Sequence, residues 1–166
     1  MTSDRSRVLV ATRVAASPAR AFEVFTDQIA QWWQPNQLFQ FTAGRNGTLA
    51  FEPGPSGRLT ETYDDGSTFE VGRVKVWEPP RRLVLSWRHA SFEPHQETEL
   101  EVRFDATGGH TRVTVEHFGW DTIPQPHVAR HGFPLPDFQL RFAEWWHDLL
   151  ERLGPDTTRA GSTGCV

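Results

Sequence analysis

The sequence predicts an α+β fold: a curved seven-stranded antiparallel sheet wrapped around one long C-terminal helix, with two short helices after the first strand. Three observations predict it. Residues 47–118 read as successive strand-length segments separated by turn signals. The stretch "PDFQLRFAEWWHDLLERLG" carries a wide apolar stripe at helical period. The strands before it are apolar on one face only, so sheet and helix each have a face to bury, and curling one around the other buries both.

The first strand is "RVLVATRV", in which Val8, Val10, Thr12 and Val14 alternate with Leu9, Ala11 and Arg13. In "SPARAFEVF", Ser17 suits an N-cap and Pro18 the first helical position, with Ala21, Phe22, Val24 and Phe25 as the apolar face. "DQIAQWW" reads as a second short helix capped by Asp27 and ended by Pro35. Strands are expected over Gly47–Glu52, Arg58–Tyr63, Thr68–Trp77, Arg82–His89, Thr98–Asp105 and His110–Phe118. "PGPSG", "DDGS", "EPPR", "SFEPHQ" and "ATGG" form the turns. Gly72 marks a bulge, because Phe69 and Val71 are out of phase with Val74 and Val76. Residues Gly119 to Pro136 are rich in proline and read as an irregular connection. In the last helix Phe138, Phe142, Trp145, Trp146, Leu149, Leu150 and Leu153 share a face, and Gly154 suits the C-cap. Residues 1–153 then form a single domain, and 154–166 a disordered tail.

The chain has 166 residues and a formal charge of -4, with 17 Lys and Arg against 21 Asp and Glu. A mildly acidic chain without a basic block argues against nucleic acid as a partner. No apolar run is long enough for a membrane span. The start lacks an apolar segment with a small-residue cleavage site, and the one cysteine, Cys165, cannot form an internal disulfide. Both features favour a reduced, cytoplasmic setting. A homodimer stays open as a partner.

The "DATGG" turn suggests a register in which Asp105 faces His110. Val102 then faces Val113, Leu100 faces Val115 and Thr98 faces His117. Matching the apolar face of the preceding strand aligns Trp87 with Leu100 and Val115, and His89 with Thr98 and His117. The opposite face carries Glu99, Glu101, Arg103, Asp105, Arg112 and Glu116. The inner face is thus apolar over three rows and then polar. That polar row is either a wet rim of the sheet or the polar end of an apolar cavity, where two imidazoles and a hydroxyl orient a ligand. The aromatics Trp32, Trp33, Phe39, Phe41, Trp87, Phe138, Phe142, Trp145 and Trp146 can reach the space between sheet and helix, either to fill it or to line it. Glu61 and Tyr63 add an acid and a hydroxyl if they point inward. His127 and His131 sit four apart in "HVARH", but no third ligand is close in sequence, so no metal is expected. No phosphate loop, GxSxG elbow or CxxC is present. No cofactor is expected.

"ASPARAFEVFTD" leading to Trp32 and Trp33, "GRVKVWEPPRRLVLSW" ending at Trp87 and "GGHTRVTVEHFGW" ending at Trp120 resemble the SRPBCC superfamily, the START and birch-pollen-allergen-like helix-grip fold. Within it the chain resembles the bacterial branch related to the activator of heat-shock-protein-90 ATPase, from about Val8 to Leu153. In "AEWWHDLLERL", Glu144 and Trp145 stand where that family usually has Gly-Trp. The resemblance implies a sheet gripping the C-terminal helix around a hydrophobic cavity. The superfamily includes carriers, cyclases and hydroxylase domains, so no single reaction follows.

The expected function is therefore binding of a small hydrophobic or aromatic molecule. The expected ligand-binding residues are Trp33, Phe41, Trp87, His89, Thr98, Leu100, Val115, His117, Phe142, Trp145 and Trp146. The alternatives are a cyclase- or hydrolase-like enzyme using His89 and His117 to move protons, or a chaperone-associated module binding protein through the outer sheet face. The connection "GWDTIPQPHVARHGFPLP" is expected to cover the cavity mouth.

Overall fold

The computed structural model describes residues 7–34, 36 and 38–159, without the side chains of 156–159. One antiparallel sheet of seven strands runs in the order β1-β7-β6-β5-β4-β3-β2. The strands are β1 (Arg7–Val14), β2 (Thr48–Phe51), β3 (Arg58–Thr62), β4 (Thr68–Glu78), β5 (Arg82–Trp87), β6 (Thr98–Thr107) and β7 (His110–Phe118). The helices are α1 (Pro18–Asp27), α2 (Ile29–Trp32) and α3 (Leu135–Arg159). Beta1 closes onto β7, so the chain's first strand lies beside its last.

Local chemistry sets the helix starts. The Ser17 side chain accepts from the Arg20 backbone N–H at 3.2 Å, with Pro18 in the first turn. Asp27 does not cap the second helix: it is the last residue of α1, and Gln28 precedes α2 without a side-chain cap. Alpha2 is one turn long and ends at Trp32, leaving Trp33 in extended backbone. Pro35 lies outside the described residues. The indole of Trp32 is fully buried and donates to the Val24 carbonyl at 3.1 Å, tying α2 back to the end of α1.

The β6–β7 register is two residues off the expected one. Thr107 faces His110, so Phe104 faces Val113, Val102 faces Val115 and Leu100 faces His117. The turn is the two-residue Gly108-Gly109, with φ of 58° and 85°, which suits glycine at both central positions of a tight hairpin. A slip of two keeps every side chain on its expected face, so the inner face matches the expected one while its rows differ. Beta5 stops at Trp87, opposite Thr98, and His89 lies beyond the ladder.

The bulge expected at Gly72 falls on its neighbour. Gly72 faces Leu59 and Glu70 faces Thr60, so Val71 is the extra residue; a second irregularity leaves Lys75 unmatched between Val74 and Val76. Gly72 itself answers to close approach, since a β-carbon there would lie 1.7 Å from the Ser86 carbonyl oxygen. Gly72→Ala is expected to force β4 and β5 apart and lower stability by about 2–3 kcal/mol, read as a shifted urea midpoint; an unchanged midpoint would refute the close approach.

Alpha3 lies against the inner face, with Phe138, Phe142, Trp146, Leu149, Leu150 and Leu153 almost wholly buried. Burying each such side chain is worth about 1.5–3 kcal/mol. The helix does not stop at Gly154 but continues through Pro155 to Arg159. Gly154 sits beside Val14, close enough that an added β-carbon would touch its side chain. Packing on β1 thus overrides the stop signal of glycine and proline. Of the expected disordered tail, 154–159 is helical, and 160–166 with Cys165 lies outside the described residues.

Candidate functional site

The polar row is rearranged: Thr98 and His117 meet directly, and His89 is linked to His117 through Trp120. Thr98 stands opposite Trp87, and His117 opposite Leu100 on one side and Val8 on the other. His117 reaches Thr98 diagonally: its Nε2 is 2.7 Å from Thr98 Oγ1. His89, Thr98 and His117 are all at least 97% buried, so this end of the sheet is not a wet rim. The connection between β7 and α3 covers it. Trp120 and Ile123, both fully buried, fold inward from that connection, and the Trp120 ring lies 5.7 Å from both His89 and His117.

The aromatic side chains form one contiguous cluster. Trp33 contacts Phe41, Trp87, Trp145 and Trp146, with ring centroids 5.2–6.0 Å apart. Phe41 touches Trp87 at 5.1 Å and His89 at 5.6 Å. Phe142 meets His117 at 4.9 Å and Trp120 at 5.4 Å. Leu100 and Val115 are buried on the sheet below, Val115 one row further from the polar end. The two adjacent tryptophans of α3 differ in role. Trp145 stacks on Phe39 and donates its N–H to the Gln34 carbonyl at 3.2 Å. Trp146 turns towards Trp33 and Trp87, and its indole N–H has no partner.

That indole nitrogen is one of five unpartnered ring nitrogens in the cluster. Trp87 Nε1, Trp120 Nε1, Trp146 Nε1, His89 Nε2 and His117 Nδ1 are all buried without a hydrogen-bond partner. Buried polar atoms are normally satisfied, and each exception calls for an explanation. Their rings touch in sequence: Trp146 to Trp87 at 6.0 Å, Trp87 to His117 at 5.4 Å, and His117 to Trp120 to His89. Burial disfavours the charged imidazoles. It pushes His89 down to about 3 and His117 well below its usual range, each also repelled by neighbouring histidine charge. Both rings are therefore neutral at physiological pH.

A cleft of about 70 Å³ leads from the surface to His89, between Leu38, Gln40, Phe41 and Ala43 on one side and Val128, Ala129 and His131 on the other. His127 and His131 do not share a helix. They flank a single 3-10 turn, Val128–Arg130, and bind carbonyls in two different loops. His127 Nε2 donates to Ser91 O at 3.2 Å, and His131 Nε2 donates to Leu38 O. The buried Arg130 ties the connection to itself through the carbonyls of Ile123 and Phe133, both at 2.7 Å.

Glu61 and Tyr63 do point inward, but they brace the chain between α2 and β2. The Tyr63 hydroxyl donates to Glu61 Oε1 at 2.6 Å and lies 2.7 Å from Thr42 Oγ1, while Glu61 Oε2 accepts from the Gly47 N–H at 2.9 Å. Burial and the adjacent carboxylate push the Tyr63 hydroxyl up to about 12. A shallower groove of about 320 Å³ lies over Phe22, Trp77, Pro79 and Pro80. Its carboxylates, Glu23 and Asp27, face water, so it lacks the buried polar atoms of the central cluster. His147, Asp148 and Glu151 bring three ligand atoms within 4.8 Å of one another on α3, all solvent-exposed.

The sequence reading missed Trp120 and Phe92, which ring His89 at 5.7 and 5.4 Å. Both sit in proline-containing stretches without periodicity, so nothing in their pattern separates them from loop residues.

The family model for "Activator of Hsp90 ATPase homolog 1-like protein" matches residues 15–154. Among solved structures, protein NE0264 from Nitrosomonas europaea is 13% identical, with 95% of this chain and 96% of that one covered and a TM-score of 0.63. PFC0360w, an HSP90 activator from Plasmodium falciparum, is 17% identical over 89% of this chain and 96% of that one, with a TM-score of 0.58. Txn09, an anthrahydroquino-gamma-pyrone synthase complexed with SUM, is 29% identical over 93% and 98%, with a TM-score of 0.53. No curated protein matches the sequence significantly.

Proposed function

The chain belongs to the activator of Hsp90 ATPase homolog 1-like family, and from that premise we propose that it binds a small hydrophobic, aromatic molecule among the rings between the sheet and α3. The observation that carries this reading is the set of five buried ring nitrogens without partners, all on touching side chains. A core that only fills space would consist of apolar atoms or of satisfied polar ones. A ligand supplying those partners accounts for them together. The likeness to Txn09, at 29% identity, adds support for an aromatic guest. Entry runs along the cleft to His89 and requires the His127 and His131 contacts to the flanking carbonyls to release.

A cyclase-like reaction is the second reading, favoured by the two imidazoles with open nitrogens at one place. A general base works best with a pKa near the operating pH. With His89 held near 3 and His117 also far down, orienting a ligand suits these rings better than removing its protons. The test is a panel of hydrophobic aromatics followed by tryptophan fluorescence and melting temperature. A native-state ligand raises the melting temperature with its concentration. A saturable rise, weakened at least about tenfold in Trp146→Phe, which keeps an aromatic ring but lacks the N–H, is the expected result. A broad panel without any rise would rule the reading out.

A further inference from the structure

Resting on the aromatic-ligand reading, we infer that the site selects a neutral hydroxyaromatic molecule whose hydroxyl groups donate hydrogen bonds to His117 Nδ1 and His89 Nε2. The tautomers follow from the neighbours. Thr98 Oγ1 donates to the Trp87 carbonyl at 3.0 Å, and a carbonyl only accepts, so the single hydroxyl proton is committed there. The short contact between Thr98 Oγ1 and His117 Nε2 then needs its proton from the ring. His117 carries its proton on Nε2 and presents Nδ1 as a bare lone pair, and Nδ1 is the nitrogen that is buried without a partner.

The same reasoning applies to His89. The Gln40 backbone favours the protonated form of its ring, as a carbonyl accepting from that ring does, and the nitrogen without a partner is Nε2. A ring donating to a carbonyl through Nδ1 leaves Nε2 as an acceptor. Two acceptors thus flank Trp120, while Trp87, Trp120 and Trp146 offer N–H donors. An aromatic hydroxyl answers both sets, donating its proton to an imidazole and accepting from an indole on its oxygen. An ether or ketone cannot donate. A carboxylate cannot donate either, and pairing it would require protonating an imidazole that burial keeps neutral. The face of such a molecule suits the rings of Trp33, Phe41 and Phe142.

The experiment compares 2-naphthol, 2-methoxynaphthalene, 2-naphthoate and naphthalene, each titrated into the full chain and read by tryptophan quenching and melting temperature. We expect 2-naphthol to bind at least about tenfold more tightly than each of the others, the penalty for leaving a buried acceptor unpaired. That preference should collapse in His117→Phe, which keeps a ring of similar shape and lacks the acceptor. Should that variant not fold, the wild-type ranking decides alone. Equal binding of 2-naphthol and its methyl ether, or tightest binding of 2-naphthoate, would overturn the inference while leaving an aromatic site. Failure of all four probes to bind would overturn the aromatic site as well.

Discussion

Replacing Trp32 with alanine is expected to lower the unfolding free energy by about 3–5 kcal/mol. That is a large part of the roughly 5–15 kcal/mol that holds a domain together, and it should lower the melting temperature by about 6–20 °C. The size follows from what the indole does. It is fully buried, packs on Phe25 at 4.9 Å and Trp33 at 5.9 Å, and donates to the Val24 carbonyl near the end of α1. Alanine leaves a cavity and removes the tie between α2 and α1 together. Its main chain also receives Arg152 Nε from α3 at 3.2 Å, so loosening α2 loosens the grip on the long helix. Trp32→Phe should recover part of the packing and none of the hydrogen bond. Chemical denaturation of both variants decides this, and a loss under about 1 kcal/mol for alanine would mean that α2 is not held as described.

Acidification below pH 6.5 should destabilise the protein. His89 and His117 are neutral in the folded state, with pKa values depressed below the ordinary value of 6.5. In the unfolded chain they take up protons at that ordinary value. A depressed folded-state pKa means that the unfolded state binds more protons, so stability is complete above pH 6.5 and falls as the pH drops below it. For His89 the decline continues towards pH 3. Between pH 7 and pH 5 each histidine is expected to cost about 2 kcal/mol. Denaturant midpoints across that range measure it. His117→Phe should flatten the slope by about half, and a wild-type profile flat from pH 7 to pH 5 would contradict the burial of both rings.

The fold was legible in the sequence because its signals are local and repeated. Alternation assigned the strands to faces, the stripe from Phe138 to Leu153 assigned the helix, and Ser17-Pro18 set the start of α1. What escaped depended on contacts between distant segments. The β6–β7 register turns on which residues occupy the hairpin, and "DATGG" offers more than one turn. Alpha3 runs on past Gly154, which lies beside Val14, and no pattern near residue 154 records that neighbour. The expected single row of His89, Thr98 and His117 is not formed: His117 reaches Thr98 diagonally, and His89 lies beyond the ladder and is linked to His117 through Trp120. Trp120 itself belongs to a segment whose prolines and glycines resemble those of any surface connection.

Whether the aromatic cluster is a ligand site rather than filler is tested most directly by the indole N–H resonances of the seven tryptophans. They can be followed by two-dimensional ¹H–¹⁵N spectroscopy while 2-naphthol is added to the labelled protein. Saturable shifts are expected for Trp87, Trp120 and Trp146, whose N–H groups have no partner. Trp32 and Trp145, which already donate to Val24 and Gln34, should move least. Unmoved resonances for those three, or shifts confined to Trp77 in the outer groove, would contradict it.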